Sequence, residues 1–368
     1  MPSSTSSSDV TTQGLTRARE VLGHLWSGWR LVLLAGLLTL ALGETYMRLP
    51  FLLPRLEYMP DRELDARLMP GQRGYLWLAN MSMRTPPISV NREGHRGAED
   101  DWRRPVILVV GDSEWFGAGV EDEEVWTRVL ERRLNTPPRA EPVHVVNASH
   151  PGFGPYHQAV VIDRELARHH VEVLIVRVSI AQRNFRPVPE AERDARVAAA
   201  ERRAALRRWT QFPPFLATKL EAQLPSIRAA FIPAPLRRQG WSGEELSDRA
   251  GRAMATEASP WWRRMSDRAE AAGTPLLFVL HEPIPSPSNG PLEDALRSLA
   301  AGHPHTHIVD LGPAIFGLDP SAPVEELRRT LRTRLTLGRD PHANPLQHRL
   351  IAQAMDNALR SLELPAAR

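Results

Sequence analysis

The stretch Val106-Ile107-Leu108-Val109-Val110-Gly111-Asp112-Ser113 decides the fold. Five consecutive apolar residues, four of them β-branched, show none of the alternation expected of a strand with one wet face. They read as a strand covered on both sides, as in a parallel sheet between two helix layers. Gly111 lets the chain turn sharply, and the turn leaves a serine hydroxyl at the strand tip. Similar short apolar runs follow at Val143–Val146, Val173–Val178, Leu276–Leu280 and Ile308–Leu311, with helical sequence between them. The expectation is an α/β fold, a single three-layer α/β/α domain on a five-stranded parallel sheet.

The intervening helices can be placed. Trp126, Val129, Leu130 and Leu134 recur at helical spacing, and Asp122, Glu123 and Glu124 lie in the preceding turn, where the helix dipole favours anions. The last helix has Asn344 as its N-cap, Pro345 at its first position, and an apolar face of Leu350, Ile351, Ala354, Met355 and Ala358. Residues 186–272, rich in Arg and Ala, read as a helical insertion riding on the sheet edge or over its mouth. Residues 49–98 are punctuated by Pro, Arg and Gly and read as a connecting segment with one or two strands.

Upstream, residues 1–20 read as a disordered leader, Ser- and Thr-rich at its start. An apolar segment over 21–48 contains Trp26, Trp29 and Arg30 before its uncharged stretch Leu31–Gly43. We rank three readings of it. An uncleaved signal anchor comes first, which would make the protein single-pass with the bulk of the chain extracytoplasmic. A signal cleaved after Ala41-Leu42-Gly43 comes second and a soluble helix third.

Composition narrows the function classes. The chain has 368 residues, 42% hydrophobic and 24% charged, with a net charge of +3. Its cations are almost all arginines scattered among acids, and Lys219 is the only lysine. That pattern describes a solvated surface and gives no support to nucleic-acid binding. Cysteine is absent, which excludes thiol nucleophiles, disulfides and thiolate metal sites. His303, His305 and His307 alternate before a strand but have no evident carboxylate or cysteine partners, so a solvent-exposed loop explains them without a metal. No cofactor is implied.

The second informative motif is Asp340-Pro341-His342, just before the last helix. A serine hydroxyl is a poor nucleophile until a base takes its proton, and the base needs a third group to hold its tautomer. Ser113, His342 and Asp340 supply those three groups, the last two from one loop. Either motif alone is weak, since an Asp-Ser turn and a capping histidine are both common. Their joint occurrence at strand and helix termini is not.

Ile107–Glu124 resembles the first block of the SGNH (GDSL) hydrolase superfamily. Val145–Gly154, Val-Val-Asn-Ala-Ser-His-Pro-Gly-Phe-Gly, is similar to its second block, and Asp340–His348 to its last. Val90–Gly97 and Leu42–Arg48 resemble the lead-in of membrane-anchored bacterial members. The resemblance implies a flavodoxin-like sheet and an esterase mechanism, with Ser113 as nucleophile, His342 as general base and then acid, and Asp340 as orienting carboxylate. It implies an oxyanion hole from the Ser113 and Gly152 backbone N–H groups and a side-chain amide of the third block. Here the chain departs from the pattern: Ser179-Ile180-Ala181-Gln182-Arg183-Asn184 stands where an Asn-Asp pair is usual, so Asn184 is preferred and Gln182 is the substitute. Gln347 also stands where the last block usually has glycine. His150 and His281, at strand ends, are expected to line the substrate pocket.

The leading expectation is hydrolysis of an O-acyl ester on an envelope carbohydrate or lipid. An O-acyltransferase using the same triad is the first alternative, because the Asp-x-His spacing resembles that of polysaccharide O-acetyltransferases. A catalytically silent glycan-binding or scaffold protein is the second, and the altered third block supports it.

Overall fold

The computed structural model describes residues 29–42, 56–78, 83–137, 140–179, 243–281, 289–316, 333–337 and 340–364, together with 194, 195 and 198. The chain divides into two compact units. In the first, Met1–Leu52 with Phe212–Gln223, the described element is a helix over 29–42 whose apolar side chains, such as Leu33 and Leu37, are exposed. Among the described residues no helix is long and apolar enough to cross a membrane. The rest of the segment expected over 21–48 lies outside the described residues, as does the 1–20 leader.

The second unit, Leu53–Gln211 with Leu224–Arg368, holds the sheet. Its strands are β1 (Val106–Val110), β2 (His144–Asn147), β3 (Val173–Val178), β4 (Leu276–Leu280) and β5 (Thr306–Asp310). They are parallel and lie in the order β5-β4-β3-β1-β2. Read from the other edge this is 2-1-3-4-5, the flavodoxin-like order. β5 begins two residues before the Ile308 expected from the sequence, because Thr306 and His307 pair with Leu276 and Leu277. It is an edge strand and partly exposed, so polar side chains fit there.

Continuous hydrophobicity has its expected cause. Val106, Leu108, Val110, Leu174, Val176 and Phe278 pack to one side, against α3 (Pro155–Leu166), α4 (Gly243–Ala272) and α5 (Asn289–Ala300). Ile107, Val109, Ile175, Leu277 and Val279 pack to the other, against α2 (Trp126–Leu134), α6 (Gly312–Phe316) and α7 (Pro345–Ser361). Each fully buried Val, Leu or Ile contributes about 1.5–3 kcal/mol.

Two sequence expectations are revised. The end of the supposed insertion is α4, the crossover helix between β3 and β4. Its buried stripe of Met254, Ala258, Trp262, Met265 and Ala269 is part of the main core and not an edge decoration. Residues 180–193 and 199–242, which hold most of the rest of the supposed insertion, lie outside the described residues.

The segment read as a connector is knit into this second unit. Gln72–Gly74 pairs antiparallel with Ile88–Val90, and Arg96 bridges to Asn147 at the end of β2. Leu56, Leu68, Leu76, Ile88 and Val90 form a third apolar cluster around Phe116 and Ala118, immediately after Ser113.

Candidate active site

Ser113 is the first residue of a short helix, α1 (Ser113–Phe116). Asp112 caps it by accepting the Glu114 backbone N–H at 3.1 Å. Gly111 is required by packing: a Cβ there would lie 2.8 Å from the Trp115 Cβ and 3.2 Å from the Ser149 Oγ. Since β1 is flanked by β2 and β3, this turn stands at the crevice where the strand order reverses, the usual ligand site of such sheets.

His342 arrives from the far end of the chain. The loop expected around it is a short strand, Asp340–Ala343, paired antiparallel with Thr336–Leu337. Asn344 fixes its exit. Its backbone N–H donates to Leu335 O, and its side chain donates to Arg334 O while accepting the Gln347 N–H as the α7 N-cap. Pro345 follows at the first helical position, as expected. The ladder delivers the His342 Nε2 to 2.9 Å from the Ser113 Oγ across 229 residues of sequence. Both side chains are partly exposed. A hydroxyl and an imidazole at that distance can exchange a proton.

The β2–α3 loop runs alongside. Ala148 N–H donates to Val109 O and His150 N–H to Gly111 O, so Gly152 follows directly on a segment tied to the serine turn. Gly152 has φ +86°, a conformation that suits glycine, and a Cβ there would meet nothing within 4 Å. Asp340 has its backbone in the strand, but its side chain lies outside the described residues, as do Asn184 and Gln182 entirely.

The pocket-lining expectation for His150 and His281 does not fit the geometry. His150 is buried, its Nδ1 donating to Pro151 O at 2.8 Å and its Nε2 accepting the Leu68 N–H at 3.0 Å. Both ring nitrogens are thereby used, and burial pushes its pKa down to about 3. His281 is fully buried between the Trp115 indole N–H, 3.4 Å from its Nδ1, and the Gln347 amide, 3.3 Å from its Nε2. Burial, with Arg177 and His348 nearby, drives its pKa well below the usual imidazole value. Gln347, where glycine was usual, thus buttresses a wall behind Ser113. Two of the alternating histidines do have carboxylate neighbours, contrary to expectation: His303 bonds Leu299 O and faces Asp267 at 3.0 Å, and His305 lies 3.9 Å from Glu270.

The sequence reading passed over two arginines. Arg177, in the buried strand β3, pairs through one nitrogen with Asp112 and through another with Glu114, the two neighbours of Ser113. A charge inside an otherwise apolar run was the available signal. Arg96 is buried too, with Nη2 donating to Val120 O at 2.8 Å, Nη1 to Gly117 O at 2.9 Å, and Nε to Asp122 at 3.1 Å. It fills the carbonyl-lined turn that closes α1.

No family model matches the chain, and no curated protein matches it. Among solved structures, it is similar to TesA at 13% identity and a TM-score of 0.40, over 70% of this chain and 99% of that one. It is similar to the psychrotrophic esterase EstA from Pseudoalteromonas sp. at 12% identity and 0.40, over 70% and 98%. For an acetylxylan esterase from Geobacillus stearothermophilus, the values are 14% and 0.38, over 72% and 96%. Likeness this slight says nothing of the chemistry here, which rests on the residues themselves.

Proposed function

We propose that this chain is a carboxylic ester hydrolase of the SGNH (GDSL) kind, with Ser113 as nucleophile and His342 as general base. The observation that carries the proposal is the 2.9 Å contact between the His342 Nε2 and the Ser113 Oγ at the switch point of the sheet. In the proposed cycle His342 takes the hydroxyl proton as the Ser113 oxygen attacks the ester carbonyl. It returns that proton to the departing alcohol, leaving an acyl-serine. Water then repeats the exchange and releases the acid.

Asp340, two residues before His342, would hold the imidazole tautomer. The Ser113 and Gly152 backbone N–H groups, with an amide from Asn184 or Gln182, would receive the negative charge that develops on the carbonyl oxygen. Each such donor is worth on the order of 3 kcal/mol in the transition state. The substrate class we favour is an O-acyl ester on a carbohydrate. The Asp-x-His spacing also favours a second reading, in which a sugar hydroxyl replaces water and the product is an acylated sugar.

The test is labelling with a fluorophosphonate probe, which needs no substrate guess. Wild type should label and Ser113→Ala should not. Equal labelling of the two, or none in folded wild type, would remove the hydrolase reading. Mass spectrometry of a reaction containing an acyl donor and a sugar acceptor separates transfer from hydrolysis.

A further inference from the structure

At the amino-terminal end of the sheet, away from Ser113, three side chains converge. Glu165 is in the last turn of α3, His169 lies in the link to β3, and Glu93 belongs to the turn after Val90. The His169 Nε2 is 3.7 Å from the Glu93 Oε2 and 3.8 Å from the Glu165 Oε2. All three atoms lie within 4.8 Å of one another. Each is shielded from water and has no hydrogen-bond partner among the described residues. The Glu165 side chain is only 6% exposed.

The remaining polar atoms of the two carboxylates are occupied. Glu93 Oε1 accepts the Trp102 indole N–H at 2.9 Å, and Glu165 Oε1 accepts from Arg168 at 2.6 Å. Trp102 also stacks on the His169 ring, centroids 3.7 Å apart and planes within 9° of parallel, which fixes where Nε2 points. The three spare atoms are therefore the ones that face each other. A proton on His169 does not satisfy them, since 3.7 and 3.8 Å exceed hydrogen-bond reach. A cation about 2.1 Å from each donor sets tetrahedral or trigonal donors about 3.4–3.6 Å apart, close to the two His169 separations here.

The geometry points to a divalent-cation site, formed by Glu93, Glu165 and His169, that takes zinc. One imidazole and two carboxylates suit zinc, and the orienting Trp102 and Arg168 contacts are the outer support such sites need. The His169 and Glu93 side chains are partly exposed, so the site lies just beneath the surface although its three donor atoms are covered. The neighbouring trio of Glu93, His95 and Asp100 carries no such claim, because His95 Nδ1 and Asp100 bond each other at 2.7 Å. The role is mechanical: the ion pins the 91–102 segment, which carries Arg96 to the serine turn, onto α3.

The experiment uses untagged full-length protein, stripped with chelator, dialysed and titrated with zinc chloride against a chromophoric indicator. Metal content is read by plasma mass spectrometry. Wild type should bind one equivalent of zinc, and His169→Ala and Glu165→Gln should lose it. Trp102→Phe keeps the stack but loses the indole donor, and should weaken binding about tenfold. His170→Ala, at the exposed neighbour, should bind as wild type. Folded wild type that takes up no stoichiometric zinc overturns the proposal, as does uptake that persists in His169→Ala. If His169→Ala fails to fold, the wild-type stoichiometry and the Trp102→Phe affinity decide.

Discussion

Arg177 reaches from β3 to the carboxylate of Asp112, the residue that caps the helix beginning at Ser113, and its other nitrogen takes Glu114. One cation on the adjacent strand thereby holds both sequence neighbours of the serine. The Arg177 side chain is 5% exposed, so the pair forms in a setting that screens charge weakly.

Removing that cation leaves two carboxylates side by side. Arg177→Met should cost about 3–5 kcal/mol of unfolding free energy, read by urea titration. Arg177→Lys should recover little of it, because one ammonium cannot span both acids as a planar fork does. A lysine variant with wild-type stability and turnover would show that the fork geometry is irrelevant.

Gly111→Ala sets a methyl 2.8 Å from the Trp115 Cβ, so α1 must move and carry Ser113 with it. The expected cost is about 1–3 kcal/mol of stability. Turnover of a short-chain p-nitrophenyl ester should fall more than stability does, since a small displacement at the nucleophile is magnified in rate. Unchanged kcat in a destabilised variant would contradict this.

Ser113→Ala and His342→Ala should each lower kcat for that ester by at least about 10⁴-fold. The double variant should be no slower than either single one, because the two side chains form one proton-transfer unit. Additive losses would mean that they act separately.

Stability should peak near pH 6.5. Burial opposes charge on His144, but Asp100 and Glu131 outweigh it and raise the pKa to about 9. This stabilisation is complete below the unfolded value of about 6.5 and is lost as pH climbs through 9. His150 and His348 behave oppositely: burial holds each at about 3, so their contribution is complete above about 6.5 and fades as pH falls. Urea midpoints at pH 5, 6.5 and 9.5 should trace the dome, and His144→Gln should flatten its alkaline side. A midpoint that keeps rising to pH 9.5 would refute the assignment.

How much of this was legible in the sequence depends on what kind of contact makes each feature. β1, β3 and β4 were readable because burial on both faces leaves an unbroken apolar run. β5 was not fully so, since an edge strand admits Thr306 and His307. α4 was obscured by its charged face and by Pro260, although its buried stripe keeps helical spacing. The Ser113–His342 pairing was visible because both residues sit at element ends with characteristic neighbours. Arg96 was invisible because it mainly serves backbone carbonyls, which no side-chain pattern encodes. His150 and His281 show the converse limit: position at a strand end does not reveal how ring nitrogens are spent.

The 229-residue separation of Ser113 and His342 has a consequence for biosynthesis. A nascent chain emerging from the ribosome carries its serine long before the histidine has been translated. On the proposed mechanism Ser113 thus stays without its base until the closing strand and helix have left the exit tunnel and docked. Premature termination between β5 and that strand yields a polypeptide that keeps all five sheet strands yet, on the proposed mechanism, lacks the base.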